Sequence, residues 1–454
     1  MLCLTLPILI GAAFAFIVLY RLRGIIVWLG LFVLSQDLIV ENVGGSETPI
    51  GGVIKKIDEV VIIAMILVII MGRLAKGRTV ARTPLDLPLA GIVTIGVLSS
   101  LVAEVPLFLW FAQLFLLIKG YLLFYVLTNI QLSEEDVKRF IIVYGTVAVM
   151  ILILGFIDLA LLKKFRMLIG NTTFIDWRAG LPAIQSIFVH PGVFGWFMAF
   201  IGLYVFAFSF IYQKPKYYVL SLLFLTGVFL SMRRKALGGL VAGLWTGIQV
   251  LPRSRKIRQA VLLIVITAIS LTIAWPRFEF LYDEMMKHYI KRSDPSQHPR
   301  VALYVQGVEI AKDYFPLGAG LGRYASWISR VHYSPLYEKY GLSEIYGLSA
   351  DNPIFLSDTF WPMILGEIGF IGLLFYFWIV IVLVQICHRA TQLADTFFKK
   401  AFCLGTLMVV SEALIESIAT PLFVKPPQVY FVLGAVGITH SLLRSQLRKK
   451  EGRY

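Results

Sequence analysis

Three consecutive cations, Arg233, Arg234 and Lys235, interrupt an otherwise apolar stretch from 217 to 250. Cations at such a place are costly unless they meet protein, water or an anion. Two readings stand. The triplet is a tight turn whose side chains snorkel into lipid headgroups, or it is an anion site. Arginine suits the second, because its planar fork grips phosphate oxygens in pairs and keeps its charge. Further basic and imidazole side chains fall in two loops expected on the same face. Arg178 and His190 lie in 163–190, and His298, Arg300, Arg323 and His332 in 276–358. Singly, each reads as a solvated surface residue. Together they would form an electropositive cavity for an anion delivered from the membrane, and a lipid diphosphate fits.

The acids come next. Asp358 and Glu367 flank the entry to an apolar run, 359–386, and Glu412 and Glu416 lie four apart in another, hence on one helix face. An acid inside a span usually faces the protein interior and is a functional candidate. A structural ion pair with one of the arginines is the equal alternative. A carboxylate or an imidazole within hydrogen-bond reach of a hydroxyl can serve as its base.

The elements that must position these residues follow from composition. Of 454 residues, 58% are hydrophobic and 15% charged, against roughly 45–50% and about 25% in soluble domains. That excludes an ordinary soluble enzyme, a disordered chain and a fibrous one. The fold class expected is all-α: a polytopic integral membrane protein with about 12–13 transmembrane helices and one large external loop. Apolar runs lie near 2–20, 24–40, 59–72, 85–103, 106–128, 139–162, 191–212, 217–232, 236–250, 259–275, 359–386, 400–420 and 428–443. The run 2–20 reads as a first span, not a signal peptide: no charge precedes it and another apolar run follows at once.

Net charge is 42 − 27 = +15. In a soluble protein that would raise nucleic acid as a partner, but cytoplasmic loops collect Lys and Arg. The segments 73–82, 213–216, 252–258 and 444–453 are strongly basic and fall on one side of the map, the expected cytoplasm. Loops 41–59, 163–190 and 276–358 fall on the other. The chain thus divides into a first bundle part (1–275), an external loop (276–358), the last helices (359–443) and a basic tail (444–454). In the external loop, Pro299 suits a helix start. Val301, Tyr304, Val305 and Val308 follow as an amphipathic stripe, to lie on the membrane or over the bundle.

Other signals are weak. Cys3, Cys387 and Cys403 show neither a disulfide framework nor zinc spacing. GAGLGR (318–323) imitates a dinucleotide fingerprint without a preceding strand and reads as a flexible turn. There is no P-loop, HExxH or GxSxG, and no clustered acids suggest a metal.

Three pieces of the carboxyl-terminal half carry a family likeness. They are LTGVFLSMRRKALGGL (225–240), HPRVALYVQGVEIAKDYFPLGAGLGRY (298–324) and SDTFWPMILGEIGFIGLLFY (357–376). Over roughly 225–376 the chain resembles the superfamily of O-antigen ligases and Wzy-type polysaccharide polymerases. Where ligases carry His-Asn, this chain has Asp358-Thr359, which leans toward a polymerase. The resemblance implies a GT-C-like architecture in a bacterial inner membrane, with the active site facing the periplasmic or extracellular side. It implies transfer of a glycan from undecaprenyl diphosphate to a sugar hydroxyl, inverting and without metal or cofactor. A chain-length regulator or flippase would be a further partner, and nucleic acid drops out.

Within that resemblance Arg234, Arg300 and Asp358 are the catalytic choices. Arg178, Arg233 and Lys235 join Arg234 and Arg300 on the diphosphate, Asp358 is the first base, and Glu367, Glu412, Glu416 and His190 are reserves or supports. Tyr304, Arg323 and Tyr324 are assigned to sugar, with Trp327 and Trp361 also able to stack on it, and an interfacial belt is the alternative for all four aromatics. Two alternatives remain: a ligase that moves finished glycan to a lipid core or protein, and a transporter or flippase of lipid-linked anions. A transporter would show repeats and charges near the midplane, whereas the unusual charges here gather on one face.

Overall fold

Proline and capping residues mark where most helices begin. In the computed structural model, which describes residues 22–75, 77, 79–130, 132–178, 180–252, 257 and 298–450, the chain is almost wholly helical. The elements are α1 (Leu22–Asn42), α2 (Pro49–Ile54), α3 (Ile57–Leu74), α4 (Asp86–Val102), α5 (Leu107–Asn129), α6 (Glu134–Leu161) and α7 (Lys163–Leu168). A two-stranded hairpin follows, β1 (Trp177–Arg178) and β2 (Leu181–Pro182). Then come α8 (Pro191–Tyr212), α9 (Pro215–Leu230), α10 (Arg234–Val250), α11 (Pro299–Asp313), α12 (Trp327–Val331), α13 (Leu336–Lys339), α14 (Trp361–Leu393), α15 (Phe397–Glu416) and α16 (Gln428–Lys450). Prolines open α2, α8, α9 and α11, where a missing N–H costs nothing. Ser133 and Asp136 close a capping box on α6.

Among the described residues, six helices are long and apolar enough to cross a membrane: α1, α5, α6, α8, α14 and α15. Each expected span within the described residues coincides with a helix, including 24–40 despite Asp37, and 59–72. The spans 2–20 and 259–275, and the segment 276–297 of the long loop, lie outside them.

α8 is buried along nearly its whole length. It packs against α9, α10 and α15. Small residues bring α10 close to its neighbours: a Cβ at Gly239 would meet Glu412 Cγ at 2.9 Å, and one at Gly243 would meet the Met408 carbonyl oxygen at 2.8 Å. With no hydrophobic force between helices in lipid, such close approach is a main source of packing energy.

The bundle has two distinct ends. At one, Ser441 donates to the Ile130 carbonyl, Arg73 to the Asn129 carbonyl, and Thr396 to Glu134. The Tyr212 and Phe397 rings meet there too, so the basic segments 73–82, 213–216 and 444–450 gather at this tail end. An apolar cavity of about 650 Å³, lined by Lys138, Tyr212, Tyr217 and Phe398 among others, opens in this half. At the opposite site end, Asn42 reaches the carbonyls of Ile169 and Gly170. The hairpin, the α9–α10 turn and the start of α11 lie at that end.

Two sequence expectations need correction. α11 starts at Pro299 as expected, but its packing face is Ala302, Leu303, Gly307, Ile310 and Ala311. The stripe of Val301, Tyr304, Val305 and Val308 is exposed or half-buried, and α14 packs against this helix. GAGLGR is a turn, but a pinned one. Gly318, Gly320 and Gly322 take φ of 81°, 94° and 79°, open only to glycine at low cost. Ala319 N–H donates to the Gly366 carbonyl and Gly320 N–H to the Glu367 carbonyl. α14 is broken there, at Gly369 (φ 65°, ψ −167°), so the turn satisfies groups the break would orphan.

Candidate active site

Cations from four segments, and one imidazole, converge at the site end. The hairpin brings Arg178, the start of α8 His190, the α9–α10 turn Arg233 and Lys235, the start of α11 Arg300, and the α15–α16 loop Lys425. Asp176 binds two of them through one oxygen: Arg233 Nη2 donates to Oδ2 at 2.8 Å and Arg178 Nε at 3.1 Å. Arg300 Nη2 donates to Asp358 Oδ2 at 2.7 Å. Lys235 donates to Thr420 Oγ1 and lies within electrostatic reach of Glu416, Lys425, Asp358 and Arg300.

Burial, and then Arg178, lower the Arg233 pKa to about 10, which still leaves it charged at neutral pH. The Nε–H groups of Arg233 and Arg300 are buried and donate to no acceptor among the described residues. A buried donor without a partner costs about 1–3 kcal/mol, more when charged. The two donors stand on different elements, one at the start of α10 and one at the start of α11.

His190 caps α8, its Nδ1 accepting the Gly192 N–H at 2.9 Å. The neutral ring therefore carries its proton on Nε2. Surrounding protein, then Arg233, Lys235, Lys425 and Arg178, lower its pKa to about 3. It is a neutral donor at physiological pH and a poor proton acceptor.

The remaining expected residues divide. Arg234 is exposed at the first position of α10, while Arg233 and Lys235 are half-buried and face the cluster's charges. Glu367 is buried and accepts the N–H of Gly322 at 2.9 Å and of Tyr324 at 3.3 Å, which holds the glycine turn. Glu412 and Glu416 are fully buried on α15, with no hydrogen bond among the described residues. Glu416 lies beside Lys235. Tyr304 is half-buried and donates to the Ile418 carbonyl. Tyr324 lies wholly inside, its hydroxyl donating to the Leu303 carbonyl, so its ring presents no surface to a sugar. Arg323 turns to the Ala103 carbonyl at 3.3 Å. Trp327 is half-exposed, His332 packs on Phe108, and Trp361 donates to Ser417.

Asp176, Thr420 and Lys425 are site residues that sequence reasoning missed. Lys425 had a signal: it is a cation between two spans on the face where topology does not place cations. Asp176 and Thr420 had none.

Taken together, fold and site define a multi-pass, all-α membrane protein with a cation-rich, acid-tempered cluster at one end. Residues 219–377 match the family model described as O-antigen ligase. Over that stretch, about a third of its length, the chain is similar to the O-antigen ligase family. No curated protein matches the chain.

Proposed function

We propose that the protein is a polysaccharide polymerase. It moves a glycan from undecaprenyl diphosphate to a sugar hydroxyl of an acceptor repeat unit, at the periplasmic or outer face of a bacterial inner membrane. The observation carrying this reading is the pair of buried, unspent guanidinium N–H groups on Arg233 and Arg300, set among Arg178, Lys235 and Lys425. Glycosyl transfer from a lipid diphosphate develops negative charge on the leaving oxygen. Fixed cations that meet it there lower the barrier without needing to reorganise. Asp358, one-third exposed and paired through Oδ2 to Arg300, takes the acceptor proton as the new glycosidic bond forms. The anomeric carbon–phosphate oxygen bond breaks on the opposite face, which inverts the centre, and the freed diphosphate stays with Arg233, Arg300 and Lys235.

A second reading, a ligase handing finished glycan to a lipid core or protein, is favoured by the description of the matched family. Purified protein in lipid nanodiscs, given a lipid-diphosphate-linked repeat unit, decides between them. A ladder formed without nucleotide sugar supports the polymerase, and a single-block transfer onto a lipid core supports the ligase. Arg233→Ala and Arg300→Ala should each reduce the rate by about 10²-fold or more, and Asp358→Asn by about 10²–10⁴-fold. An undiminished ladder from all three would place the chemistry elsewhere.

A further inference from the structure

We infer that Asp176 is a resident counter-anion, occupying through one carboxylate oxygen the place that a phosphate oxygen of the donor takes between Arg178 and Arg233. The inference rests on the anion-site reading above and adds what the site does when empty. Arg178 and Arg300 both lie close enough to act on Arg233's charge, so without an anion the cluster would suffer mutual repulsion. Asp176 relieves it. Its Oδ2 accepts from Arg233 Nη2 at 2.8 Å and from Arg178 Nε at 3.1 Å, so one anionic oxygen serves two guanidinium donors.

Three features make the exchange easy. The Arg178, Asp176 and Arg233 side chains are 31%, 29% and 12% exposed, so this ion pair has water access and is weak in net terms. A lone carboxylate oxygen also leaves the buried Nε of Arg233 without an acceptor, a donor that a diphosphate with more oxygens can take up. Finally, Asp176 sits at the foot of a hairpin with two-residue strands. Its main chain is held, the Asp176 carbonyl accepting the Ala183 N–H at 2.8 Å, so only the side chain has to swing away, beside an exposed Trp177.

This role predicts a sign opposite to that of a residue that merely orients the arginines. The full chain in nanodiscs should be titrated with inorganic pyrophosphate and, separately, with a short-chain polyprenyl diphosphate. Asp176→Asn should bind both more tightly, by up to about fivefold, the size of a part-exposed ion pair. Asp176→Glu should return to the wild-type affinity. Weaker or unchanged binding in Asp176→Asn overturns the inference, and so does a gain confined to pyrophosphate. If Asp176→Asn does not fold, Asp176→Ser is read against the same two outcomes. Arg233→Ala separates the two levels: if it leaves pyrophosphate affinity intact, the anion-site reading itself fails, whatever Asp176 does.

Discussion

The cation cluster changes what a histidine can do. By residue type His190 looked like a reserve base. In place, it already accepts the Gly192 N–H and stands among Arg233, Lys235, Lys425 and Arg178. Its pKa falls from 6.5 to about 3, so the folded protein resists protonating it while the unfolded chain does not. Stability tied to the neutral ring is complete above 6.5 and is lost as pH falls from there toward 3. His190→Gln, whose amide oxygen can still accept from Gly192, should therefore lose less thermal stability than wild type between pH 7 and pH 4.5. The two should share the same shape of rate–pH profile above pH 5. A rate inflection near 6.5 that disappears in the variant would restore His190 as a base. Residue types told the reader which side chains could carry chemistry. They did not tell which of Arg233 and Arg234 turns inward, because that depends on where α10 starts. Nor did they reveal Asp176, whose role exists only because a hairpin folds it between two arginines.

Elements were legible where a single physical rule governs them. Apolar length marked the spans and Pro299 the start of α11, but neither states which side of a helix is occupied. α11 shows the difference: its expected stripe is exposed or half-buried, and Ala302, Leu303, Gly307, Ile310 and Ala311 form the buried face instead. Glycines make the same point on α10. Gly243 faces the Met408 carbonyl oxygen and both terminal carbons of Leu203, each 2.8 Å from where a Cβ would sit, whereas Gly238 has only Ile415 Cγ2 at 3.7 Å. The main chain of α15 cannot rotate away as a side chain can. Gly243→Ala should thus force α10 off α8 and α15 and destabilise by about 1–3 kcal/mol. Gly238→Ala should be neutral or stabilise by up to about 1 kcal/mol through helix propensity. Thermal midpoints in one nanodisc preparation compare them. Equal midpoints would mean that this interface tolerates separation, and that Lys235 and Glu416 are not held by it.

At the scale of the whole molecule, charge divides by position. Most cationic loops collect at the tail end, while a smaller set, from Arg178 to Lys425, stands at the other end with acids beside it. Topology accounts for the first group; for the second we propose ligand chemistry, and the two-ended bundle keeps the two apart. The separation is directly measurable. Cys387 and Cys403 are fully buried, so in a Cys3→Ser background a new surface cysteine supplies the signal. Thr173, exposed in the loop before the hairpin, marks the site end, and Lys214, exposed between α8 and α9, marks the tail end. Thr173→Cys should react with a membrane-impermeant maleimide added outside intact spheroplasts. Lys214→Cys should react only after permeabilisation, since the basic loops are retained on the cytoplasmic side. Reaction of both from the same side would break the two-ended map. The reversed pattern would keep the map but turn the cation cluster toward the cytoplasm, away from any acceptor glycan on the outer face.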